Sequence, residues 1–107
     1  MATYVNKGET VTFTATEAIA YGNVVAFATR IGVALENIPA GSSGTVGIAG
    51  VYEIQAKASD KMAVGDAVYW SKANKEITTT ADGNTLAGIA VSDKAAATAG
   101  VVAVKIG

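Results

Sequence analysis

A chain of 107 residues with a formal net charge of -1, no cysteine and no histidine excludes much before any motif is sought. Its length fits one domain around one core, and the missing residues remove disulfides, thiolate chemistry, imidazole bases and the commonest metal ligands. Eight basic against nine acidic residues give no bulk attraction to nucleic acid or anionic lipid.

Residues 1–8 read as a polar, extended arm, and residues 9–107 as a single β domain. The start of the chain lacks the apolar run of a signal peptide, and no window reaches the roughly 20 apolar residues that span a bilayer. Synthesis in the cytoplasm without a visible export signal is expected. Glu9–Thr14 alternates, with Val11 and Phe13 on one side and threonines on the other, as in a half-buried antiparallel strand. Val24–Ala28 and Ile31–Leu35 read as strands joined by a tight Thr29-Arg30 link. Pro39–Gly44 holds the only proline and is the strongest loop signal. Thr45–Gln55 is too long and glycine-broken for one flat strand, so Gly47 or Gly50 is expected to mark a bulge or a bend between sheets.

Ala56–Val64 is the best candidate for a helical turn, with Ser59 or Asp60 as N-cap and Gly65 as terminator. Strands follow at Ala67–Ser71, Glu76–Thr79, Leu86–Ser92 and Val101–Ile106, with Asp93–Gly100 as a connection. In the last strand Val102, Val104 and Ile106 share a face. In Gly65-Asp66-Ala67-Val68-Tyr69-Trp70 the adjacent aromatics must point to opposite faces. The expectation is Trp70 in the core and Tyr69 outside. The frequent turns predict an all-β fold, a small antiparallel β-sandwich or jelly-roll-like barrel of about eight short strands with at most one short helical turn.

The sequence also echoes itself. Gly22-Asn23-Val24-Val25-Ala26-Phe27 resembles Gly65-Asp66-Ala67-Val68-Tyr69-Trp70, and Gly47-Ile48-Ala49 and Gly88-Ile89-Ala90 follow at similar distances. Two units folding alike would explain this, and so would chance in a chain rich in Gly, Ala, Ile and Val.

Motifs for chemistry are missing. No Gly-Lys-Ser or Gly-Lys-Thr occurs, so a phosphate-binding loop is disfavoured. Glu36, Asp60, Asp66, Asp82 and Asp93 fall at predicted turns, where solvation and turn formation explain them. Ser and Thr have no histidine to activate them, and Lys7, Lys57, Lys61, Lys72, Lys75, Lys94 and Lys105 sit in polar, exposed-looking surroundings. An oligonucleotide-binding barrel would cluster basic residues beside its aromatics, and here they are spread apart. The reading is a non-enzyme with no cofactor and no metal.

The run Gly65–Trp70, then Ile77–Thr80, Gly83-Asn84 and Leu86–Ala90, resembles the capsid cement (decoration) proteins of tailed bacteriophages. The opening Val5–Thr12 and closing Val101–Ile106 are similar as well. The resemblance implies a small β protein that binds the outer face of an assembled phage head as a homo-oligomer, trimer or dimer, and stabilises it. Its partners would be the major capsid protein and itself, with no nucleic acid and no membrane. It would be made in the host cytoplasm and reside on the capsid exterior. The residues expected at a capsid or subunit interface are Ala2, Thr3, Tyr4, Val5, Asn6, Lys7 and Tyr69, with Tyr4 as an anchor and the arm's backbone free to add to a sheet edge. Competing readings are a sheet-based ligand- or carbohydrate-binding module of a phage fibre or tail, and a small hydrolase using lysine or paired carboxylates.

Overall fold

The computed structural model describes residues 2–3, 8–97 and 100–107. These form nine strands and no helix: β1 (Thr10–Thr14), β2 (Val24–Ala26), β3 (Ile31–Ala34), β4 (Ser43–Gly47), β5 (Gly50–Ala56), β6 (Ala67–Ser71), β7 (Glu76–Thr78), β8 (Thr85–Ala90) and β9 (Gly100–Ile106). The all-β expectation holds. The first four strands make an open sheet in the order β1-β4-β3-β2, and the rest close into a barrel in the order β5-β7-β6-β8-β9. All pairings are antiparallel except β5 with β7, which meet in parallel at Ala56 and Ile77.

Period-two alternation explains the barrel strands. In β9 Val102, Val104 and Ile106 are fully buried while Val101 and Lys105 are exposed. In β6 Val68 and Trp70 point inward, leaving Tyr69 half-buried on the other face. β3 differs because every residue in it is buried. Ile31 and Val33 join the barrel core, whereas Val25 and Val46 on the neighbouring strands belong to a second cluster with Ala15 and Ile38. The sheet therefore packs one face on the barrel and keeps a small core on the other. The long 45–55 segment breaks between β4 and β5, with Gly50 at φ 118, and carries the chain from the sheet into the barrel.

The helical turn expected at 56–64 is not formed. The Met62 N–H donates to Lys94 O (2.9 Å) rather than to its own preceding turn. The Asp60 carboxylate accepts from Thr78 and Thr79, so it caps β7 from a distance and not a local helix. Partners distant in the sequence outcompete a short helix because isolated helical nuclei are costly.

The sequence echo reflects a structural duplication. Strands β2-β3-β4 and β6-β8-β9 share one register. Val24↔Val33 and Val25↔Gly32 correspond to Ala67↔Ile89 and Val68↔Gly88. Val33↔Gly47 and Ala34↔Val46 correspond to Ile89↔Lys105 and Ala90↔Val104. β1 lies on β4 as β5 lies on β9, so Val11 and Tyr52 hold equivalent places. The turns agree in detail. Gly22 N–H donates to Ala34 O and Ala34 N–H to Asn23 O, while Gly65 N–H donates to Ala90 O and Ala90 N–H to Asp66 O. Isolated bridges join Ile19 to Ile38 in one half and Met62 to Lys94 in the other.

The second part of the echo needs correcting. The counterpart of Gly88-Ile89-Ala90 is Gly32-Val33-Ala34, not Gly47-Ile48-Ala49. Glycine recurs there because the next strand passes too close for a side chain. A Cβ on Gly32 would sit 2.9 Å from Gly47 O, and one on Gly88 would sit 2.0 Å from Lys105 O.

Candidate functional site

Each half brings its polar side chains to the same tasks. The Asn37 Oδ1 accepts from Tyr21 N–H (2.8 Å), and in the equivalent turn Asp93 Oδ1 accepts from Val64 N–H (3.0 Å). Asp66 Oδ2 accepts from Ala63 N–H (3.0 Å), and Glu36 Oε2 from Thr45 N–H (3.0 Å). These side chains brace turns, and Glu36 ties its turn to β4.

Lys94 departs from the sequence reading, which placed it with the exposed lysines. It is only 6% exposed, and its Nζ donates to the carbonyls of Ala58 (3.0 Å), Asp60 (2.9 Å) and Ala95 (3.1 Å). The ammonium thus closes the 57–61 turn against the barrel. Nothing in the local sequence marks it, because two of the three acceptors, the carbonyls of Ala58 and Asp60, are backbone groups far away in the chain. Asp60 stands beside this lock. Its modest burial raises the carboxyl pKa, but bonds from the Thr78 hydroxyl and the Thr79 N–H and hydroxyl, with the charge of Lys57, bring the net value below 3.8. Both groups spend their polar atoms on structure. Among the described residues no three acidic residues gather as a metal would require.

Of the residues expected at an interface, Ala2 and Thr3 are exposed, while Tyr4, Val5, Asn6 and Lys7 lie outside the described residues. Tyr69 is half-buried on β6, opposite Thr78 on one side and Leu86 on the other. Ala2 and Thr3 are not brought to Tyr69 by any hydrogen bond or strand pairing described.

The surface feature that sequence reasoning missed is an apolar trough where the two halves meet. One cavity of about 540 Å³ is lined by Val11, Phe27 and Ile48 among others, and a second of about 340 Å³ by Leu86 and Ile89. Arg30 and Gly107 line both, so the two run together. Val11 and Ile89 remain 40% and 43% exposed. No single stretch signals the trough, since its walls come from both halves of the duplication.

The class of protein follows from these observations. It is a duplicated β-sheet protein in which Glu36, Asp60, Asp66, Asp93 and Lys94 brace turns and an apolar trough lies open between the halves, the equipment of a structural or binding protein. Comparison with known families makes this specific. A family model described as phage cement protein matches residues 5–106, and the chain belongs to that family. It is accordingly a structural protein of a bacteriophage, associated with the capsid. No curated protein and no solved structure matches it.

Proposed function

We propose that the protein binds the outer surface of the assembled phage head as a homo-oligomer and stabilises the shell, without enzymatic activity. The observation carrying this reading is the cement-family match across residues 5–106. The physical mechanism is linkage. A ligand that binds only the assembled lattice stabilises it by about 2.7 kcal/mol per site at a hundredfold excess over its Kd. Repetition over a shell makes a modest term sufficient, and an oligomer that engages several capsid subunits gains avidity.

The arm Ala2–Lys7 and Tyr69 are the proposed contacts to capsid or neighbouring subunits, and the arm is treated as an appendage to a β domain spanning 9–107. Synthesis in the host cytoplasm and final residence on the capsid exterior complete the proposal, with no part for nucleic acid or membrane. A carbohydrate platform is not favoured. Among the described aromatics Phe13 and Phe27 pack on each other, Trp70 is buried, and only Tyr21 is strongly exposed, at 70%.

Purified protein mixed with undecorated heads should co-sediment with them and raise the temperature at which they release DNA. Failure to bind sinks the reading. Removal of residues 2–7 should abolish binding and leave the melting temperature of the free protein unchanged. Undiminished binding by the truncated protein would instead exclude the arm.

A further inference from the structure

The trough between the halves has a definite chemistry. Its walls are apolar, and its lining includes two cationic side chains, Arg30 and Lys105, no acidic side chain, and Gly107, whose terminal carboxylate forms no ion pair with either cation. Arg30 sits in the tight turn between β2 and β3. Its Nη1 donates to the adjacent Thr29 carbonyl (2.8 Å), and the side chain is otherwise exposed with no carboxylate partner among the described residues. A guanidinium over apolar walls is suited to receive a carboxylate in bidentate fashion.

The duplication explains why this trough is open. Tyr52 of the second half reaches across to the first, where its hydroxyl occupies the space beside Gly47 that a Cβ would need. Its counterpart in the first half is Val11, which is too short to reach across in the same way. One contact between halves is filled from within the chain, whereas the equivalent one leaves Val11 40% exposed.

We propose that this trough seats an extended segment of the capsid protein that carries apolar side chains and an acidic residue paired with Arg30. The apolar side chains cover Val11, Phe27 and Ile89, and the carboxylate bonds to the unused guanidinium donors. This assignment rests on the capsid-binding reading above and adds the chemistry of the partner.

The test compares binding of wild-type protein and variants to purified undecorated heads, with each variant's melting curve and sedimentation recorded. Arg30→Glu and Ile89→Asp should each weaken binding by roughly tenfold or more, while Arg30→Lys retains part of it. Val11→Tyr, which fills the trough as Tyr52 fills its counterpart, should weaken binding without lowering stability. Tyr21→Ala, outside the trough, should bind like wild type. Heads that bind the wild type and all trough variants equally would overturn the trough assignment and leave the function intact. A wild type that does not bind heads would remove both. Variants that lose self-association but, as subunits, keep their affinity for heads would show the occupant to be a second copy, which also overturns the proposal.

Discussion

Between Phe27 and Ile31 the first half turns back at once, held by the Phe27 N–H to Arg30 O bond of 2.8 Å. Between Trp70 and Ala87 the second half inserts β7 at the corresponding place. That strand pairs with β6 and touches β5 at Ala56↔Ile77, which closes the barrel. The first half lacks it and stays an open sheet, with only an edge-to-face contact of Phe13 and Phe27 at 5.5 Å and 80° near that place. A strand supplies backbone hydrogen bonds and a buried Ile77, whereas an aromatic pair supplies contact alone. The same plan thus yields a well-filled barrel and a shallow open sheet. The open half is the one with surface to spare for a partner.

The comparison can be broken severely at the paired glycines. Gly88→Ala places a methyl group against the Lys105 carbonyl in the barrel, at a φ of 154, and should cost about 3 kcal/mol or more in urea unfolding. Gly32→Ala, where one of the close atoms belongs to the Val46 side chain, should cost roughly 1–2 kcal/mol. Equal losses would mean that the two halves tolerate crowding alike.

The aromatics come next. Trp70→Ala should cost about 3–5 kcal/mol, because the ring is buried among the barrel residues. Phe27→Ala, at the equivalent but half-buried position, should cost about 2 kcal/mol. Tryptophan fluorescence tests the same point and should be blue-shifted in the folded protein. A water-like emission maximum would place Trp70 outside the core.

Lys94 and Ile38 offer a sharper test, since they occupy equivalent bridge positions with opposite chemistry. Lys94→Met leaves the carbonyls of Ala58, Asp60 and Ala95 without their shared donor and should cost about 2–4 kcal/mol. Ile38→Lys should cost a similar amount for the reverse reason, a charge placed in an apolar cluster. Melting curves of both variants decide it, and a neutral Lys94→Met would show that the lock contributes nothing.

The smallest effect belongs to Asp60. Its folded pKa is lowered, so its contribution is complete above its unfolded value near 3.8 and fades as pH falls through the lower folded value. Asp60→Asn should therefore reduce stability at neutral pH and flatten the acid limb of the stability profile below about pH 4. An unchanged acid limb would place the titration elsewhere.

Much of this architecture was legible in the residues. Alternation located most strands to within a residue or two, put Val102, Val104 and Ile106 on one buried face, and marked the bend near Gly50. The Gly-Asn and Gly-Asp turns raised a duplication that chance could equally have produced, and the shared strand register decided for it. The triplet match then went astray, because Gly47-Ile48-Ala49 repeats the letters of Gly88-Ile89-Ala90 but not its register. Sequence similarity over three small residues cannot distinguish a true counterpart from a neighbour. The half-exposed state of Val11 was also out of reach, since alternation tells which face a residue takes and not what covers that face.

By itself the sequence determined the class of fold, its strand positions and the absence of imidazole and thiol chemistry, because these follow from local geometry and from which side chains exist. Only the tertiary structure decided that one half closes while the other stays open, that Lys94 is buried, and that an apolar trough with Arg30 lies between them. Those features depend on contacts between residues distant in the chain, where a single inserted strand or the exchange of Tyr52 for Val11 changes what is covered and what is left for a partner.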